Sequence, residues 1–284
     1  MIQKISSMIN RIFNELEKFW ESDKTHSGVG YLLVLTFIGS LLIIEMNRQG
    51  WLPHDLSGLI PTNHFHAVGF VFNMLLIVEV ISLVFNLVNS VSEAVGKQFE
   101  ILSLILLRSS FKEIAYFPEP ITWVQFSDPV KHILSDAGGA LLIFIFLGFY
   151  YRLQKHVPIT KDQKDQSRFI TAKKMLSLVL LLTFTIIGLF SLWNSIIGKP
   201  GQDFFAVFYT ILIFADILLV LISLRYSYRY CTLFRNSGFA LTTIAIRLAL
   251  TAPPYVNVLL GMGAAIFAIG LTVAYNLMMS HEAD

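Results

Sequence analysis

Two acids and two arginines sit in stretches of this chain that are otherwise almost wholly apolar. Glu79 lies in the run from Met74 to Leu83, and Asp216 in the run from Ile211 to Val220. Arg108 follows Ile105-Leu106-Leu107, and Arg247 follows Ile244-Ala245-Ile246. The order acid, then arginine, occurs twice at similar spacing: from 79 to 108 and from 216 to 247. An ionised side chain at the centre of a membrane helix costs about 2.5–3.5 kcal/mol. Four unpaired ones would cost roughly 10–14 kcal/mol, as much as the whole stability of an ordinary domain. Each acid therefore needs its arginine. Two chemistries follow: pairs that pin one helix to the next, or pairs that line a polar path for an ion or proton.

The remaining chemical candidates are fewer. His64 and His66 flank Phe65, and two histidines at that spacing can hold a metal on an extended segment; polar anchoring at a membrane interface is the simpler role. Asp136 precedes a small-residue cluster, Gly138-Gly139-Ala140, that suits close helix packing. Cys231 is the only cysteine, which excludes an internal disulfide, a CxxC pair and a thiolate metal cluster. The chain has no Walker A loop, GxSxG elbow or HExxH helix, and no Ser/His/Asp constellation; it is read as non-enzymatic, with no cofactor and no resident metal.

The elements that must carry these residues are membrane helices. In 284 residues, hydrophobic types make up 55% and charged types 14%, and the mean hydropathy is +0.66. That leaves too little polar surface to clothe a water-soluble globule. The 21 basic and 19 acidic residues leave no broad basic face for a nucleic acid. Six runs reach the length of roughly 20 residues that a membrane helix needs: Gly28–Met46, His66–Val91, Ile133–Tyr151, Met175–Ile197, Phe204–Leu224 and Tyr255–Met278.

Two further runs, Phe99–Phe117 and Phe239–Ala252, hold the arginines and are too charged to pass on hydropathy alone. Charge placement brings them in. The basic stretch Arg152–Lys174 and the basic amino terminus (Lys4, Arg11, Lys18, Lys24) should share the cytoplasmic side, which demands an even number of crossings between them. Arg225–Arg235 is cytoplasmic by the same rule. The expectation is eight transmembrane helices with both termini cytoplasmic. Trp51, Trp123 and Phe126 then stand as anchors at the outer interface, and Tyr150, Tyr151, Tyr226, Tyr228 and Tyr230 at the inner one. Ile2, Ile5, Ile9, Ile12, Phe13, Leu16 and Trp20 recur at helical spacing among charges, as in a helix lying in the cytoplasmic interface.

Depth supports the pairing. Glu79 is 13 residues beyond His66, about 20 Å from that boundary. Arg108 is nine residues beyond Phe99, about 14 Å from the other, and in a core of about 30 Å the two levels agree to within about one turn. The two halves also match further on. The stretch from Pro129 to Ala140 aligns without gaps on that from Pro254 to Ala265, with Asp136 falling opposite Gly261. The charge at Asp136 is thus peculiar to the first half. The organisation expected is an interfacial helix (1–27), a four-helix unit (28–152), a basic cytoplasmic linker (153–174) and a second four-helix unit (175–279) in parallel orientation.

The second unit resembles the phosphate-starvation-inducible PsiE family of small bacterial inner-membrane proteins. The residues carrying the resemblance are Asp216, the stretch from Leu241 through Arg247 to Leu250, the stretch from Pro254 to Leu260, and a last helix ending Thr272-Val273-Ala274-Tyr275-Asn276. It is good over Phe204–Asn276 and looser over His66–Arg152. The chain departs from the family in having two copies, in Asp rather than Glu at 216, and in a longer outer loop in the first copy. The resemblance implies a four-helix unit in the bacterial cytoplasmic membrane and supplies no reaction. The expected role is a non-enzymatic scaffold or sensor/effector module working in the bilayer as a homo-oligomer or with another membrane or cytoplasmic protein. The alternative is an ion or proton channel or transporter using Glu79, Arg108, Asp216 and Arg247.

Overall fold

A computed structural model of the chain describes residues 2–53, 57–58, 60–88, 91–120, 127–154, 163–196, 204–224 and 230–281. Trp123, Phe126, His156, Arg225, Tyr226, Tyr228 and Arg229 lie outside the described residues, as do residues 155–162 of the linker and the segment 197–203.

Among the described residues the long elements are all helices and there is no strand: α1 (Ile2–Trp20), α2 (Asp23–Arg48), α3 (His66–Asn86), α4 (Val91–Glu113), α5 (Ser127–Leu153), α6 (Gln163–Ile196), α7 (Phe204–Leu224), α8 (Tyr230–Thr251) and α9 (Val256–His281). Six of them (α2, α3, α5, α6, α7 and α9) are long and apolar enough to cross a membrane. Large apolar side chains such as Leu35, Phe190 and Leu259 point outward from these helices. Water would penalise that arrangement, and lipid does not.

The arginine-bearing helices occupy the middle. α4 packs against α3, α5 and α8; α8 packs against α7, α9 and α4; and α5 crosses α9. α4 and α8, too charged to count among those six, thus each pack against at least three other helices. Two apolar cores result. One joins α4, α5, α8 and α9 through Phe99, Leu102, Ile143, Tyr150, Phe239 and Ala268. The other joins α3, α4, α6 and α7 through Val80, Val84, Ile101, Leu180, Phe208 and Leu212.

Missing side chains set the close approach of α5 to α9. A Cβ on Gly139 would fall 2.5 and 2.6 Å from the two methyls of Val258, and one on Gly261 would fall 2.8 Å from Ile143 Cδ1. Only glycine fits at these distances.

α1 docks along one edge of its apolar stripe. Phe13 is fully buried and stands edge-on to Phe85, Trp20 stacks on Phe85, and the Trp20 indole N–H donates to Ser82 Oγ at 2.9 Å. Lys174 Nζ donates to Asn14 Oδ1 at 2.6 Å and ties the helix to α6. The other edge, with Met8, Ile12, Leu16 and Phe19, remains exposed. α6 begins at Gln163, inside the stretch expected as linker, and carries Lys173 into the packed interior.

Candidate functional site

Arg108 of α4 forms an ion pair with Glu79 of α3. The two helices are separated by only four residues in the sequence and pack against each other, which brings these side chains together. The Glu79 side chain is 10% exposed and that of Arg108 25%. A cavity of about 230 Å3 opens beside them, with Asn73, Ser109, Lys112 and Tyr209 among its walls.

The second pair has the same helical geometry in different surroundings. Arg247 of α8 sits with Nε 3.6 Å from Asp216 Oδ2 of α7, and no part of the arginine is exposed. None of its three guanidinium nitrogens has a conventional hydrogen-bond partner. Its main compensation is the carboxylate charge, in a medium where that charge acts strongly. On the far side of Asp216 lies a smaller cavity of about 50 Å3, walled by Gln98, Lys173, Asn236 and Thr243 among others. That volume and polarity suit one or two waters. Gln98 Oε1 and Asp216 Oδ2, both buried and without hydrogen bonds, are acceptors such waters would satisfy.

Asp136 is buried at 3% exposure and accepts a 2.9 Å hydrogen bond from Asn257 Nδ2 across the α5–α9 crossing. Asn257 is the residue that the gapless alignment places opposite His132. His132 in turn pairs with Glu113 at 3.3 Å and stands edge-on to Tyr255. Asp136 thus takes its partner from a segment 121 positions away in the chain.

His64 and His66 do not act together. The loop to His64 is fixed by Gly50, whose φ of 72° ends α2, and by Asn47 Nδ2, which donates to the carbonyls of Ser57 and Ile60. His64 stands between two carboxylates, with Nδ1 3.0 Å from Glu119 Oε2 and Nε2 3.2 Å from Glu45 Oε2. The His64 backbone N–H first, and its ring second, hold the Glu119 carboxyl below the usual carboxylate range. Arg48 joins the same two acids at 3.3 Å each. His66 opens α3 and faces a separate groove. No group of three or more His, Cys, Asp or Glu side chains able to hold a metal occurs among the described residues.

Two buried cations were not singled out as site residues. Arg235 was placed by its charge at a cytoplasmic helix end; it is 6% exposed and lies over the Tyr275 ring at 4.6 Å. Lys173 was counted with the basic linker; it is 4% exposed, over the Phe169 ring at 5.0 Å. Cation–π contacts shelter both. The available signal was Tyr275 and Phe169 at helix ends, and nothing in the linear sequence joins Tyr275 to Arg235.

No family model matches the chain, and no curated protein and no solved structure is significantly similar to it.

Proposed function

We propose that this is a non-enzymatic membrane scaffold or sensor/effector module, built as two parallel PsiE-like four-helix units with eight transmembrane helices. In this reading both termini are cytoplasmic, the membrane is the bacterial inner one, and the protein acts as a homo-oligomer or with a membrane or cytoplasmic partner. The observation that carries it is the complete enclosure of Arg247 against Asp216, which fixes α8 to α7 and leaves an ion no room to pass there. The packing is consistent with two like units: α3–α4 and α7–α8, α4–α5 and α8–α9, and α2–α3 and α6–α7 are matching contacts, while α4–α8 and α5–α9 join equivalent helices. The central position of α4 and α8 and their paired arginines support reading both as crossing the bilayer.

Passage of an ion or proton is the second reading, and one observation favours it. The cavity at Glu79–Arg108 and the cavity at Asp216 follow the same helices; Tyr209 and Asp216, seven residues apart on α7, put them about 10 Å apart along the axis. The Asp216–Arg247 pair lies between the two. Purified protein in liposomes decides between the readings. Scaffolding predicts that an imposed pH or ion gradient decays no faster than in empty vesicles. A gradient that collapses with wild-type protein and persists with Glu79→Gln or Asp216→Asn would replace it by transport.

A further inference from the structure

We propose that the groove between α2 and α3 is a binding site for an anionic glycerophospholipid, with its headgroup at Lys112. The groove has a volume of about 510 Å3, in the range of sites that hold amphiphiles and other small molecules. Its long wall is apolar, made by Ile43 and Ile44 of α2 and by Phe70 of α3. Three polar groups line it: Lys112 near the end of α4 and His66 at the start of α3 stand at one end, and Asn73 lies two turns further along α3. None of the three side chains has a hydrogen bond or ion pair among the described residues.

The charge balance identifies the head. Arg108 and Glu79 neutralise one another next door, in the cavity that shares Asn73 and Lys112 with the groove. Lys112 is then the one uncompensated charge at the mouth, a single cation on a flexible stem. An apolar trough ending in one cation matches an acyl chain ending in a phosphodiester. Its position fits as well. His66 begins its helix and Lys112 nearly ends one, so both stand at the boundary level of the bundle, and the apolar wall runs inward from there. Another groove of about 430 Å3, between α3, α6 and α7, is lined by Ile81, Leu181, Phe184 and Phe205 and carries no charged side chain. Size and greasiness are common to both; the cation singles out the first. The inference needs the helices to lie in a bilayer and is independent of whether the protein scaffolds or conducts.

The test uses full-length protein in mild detergent, with thermal unfolding and native mass spectrometry as readouts. Phosphatidylglycerol should raise the unfolding temperature and appear as a bound mass. Phosphatidylcholine, and inorganic phosphate alone, should do neither. Lys112→Gln should weaken phosphatidylglycerol binding about fivefold, the worth of one cation near a lipid surface, while Lys112→Arg keeps it. Ile43→Trp, which fills the trough without changing charge, should also lose it. Lys112 and Ile43 are exposed, so these variants should elute as folded wild type does. Unchanged phosphatidylglycerol binding in Lys112→Gln or in Ile43→Trp overturns the site. An equal effect of phosphatidylcholine or of inorganic phosphate overturns the assignment of its occupant.

Discussion

Arg247 Nε and Asp216 Oδ2 face each other at 3.6 Å, and the arginine has no exposed surface at all. Removing either group leaves the other a buried charge without its counter-ion. Truncating one partner of such a pair costs about 3–5 kcal/mol, whereas replacing both with well-packed apolar residues is often close to neutral. Arg247→Met alone should therefore lower stability by about 3–5 kcal/mol, and Arg247→Met with Asp216→Leu should regain most of it. Denaturant unfolding in detergent, followed by helical circular dichroism, measures both. A double variant no better than the single would mean that the charges act through something other than each other.

The Glu79–Arg108 pair should respond in the same direction and more weakly. Its arginine is 25% exposed and borders a cavity that can hold water, so an orphaned guanidinium keeps some solvation. Glu79→Gln should lower stability by about 1–2 kcal/mol, read as a lower yield of folded protein on size exclusion. The exchange of Glu79→Arg with Arg108→Glu should restore part of that yield. A larger loss than at Asp216–Arg247 would contradict the difference in burial.

Much of this could be read along the chain because lipid imposes local rules. Six helices announce themselves by length and apolar content, and the pairs by charges that could not stand alone at the depth of Glu79 or Asp216. What escaped was set by contacts between distant segments. Asp136 meets Asn257, 121 positions away, and no local pattern joins them. Arg235 and Lys173 look like interface charges because hydropathy scores a residue without its neighbours; Tyr275 and Phe169 take them inside. The stripe on α1 was legible, but its division between Phe13, packed on Phe85, and Phe19, left outside, depends on where α3 and α6 lie.

Glycine at 139 should be required for the α5–α9 crossing, and glycine at 138 should not. A Cβ at 139 would meet both methyls and the Cβ of Val258, at 2.5, 2.6 and 3.0 Å. A β-branched side chain cannot swing all three away. A Cβ at 138 meets nothing within 4 Å. Gly139→Ala should destabilise by about 1–3 kcal/mol and Gly138→Ala by under about 0.5 kcal/mol, measured as shifts in the unfolding midpoint. Val258→Ala should relieve the first variant. If it does not, the crossing is set elsewhere.

The contact between Glu119 and His64 should make the end of the bundle acid-sensitive in a defined window. Glu119 is held below the usual carboxylate range by the His64 backbone N–H and ring, so the folded protein releases this proton more readily than the unfolded chain does. A depressed acid of this kind contributes stability above its unfolded value, about 4.3 for glutamate, and the contribution disappears as pH falls through the lower folded value. The difference in unfolding midpoint between wild type and Glu119→Gln should therefore shrink as pH falls below about 4. The Gln variant keeps an acceptor for the backbone N–H and loses the charge, so the pH-dependent part belongs to ionisation alone. A gap that instead widened as pH fell would reverse the sign and place the proton on Glu119 in the folded state.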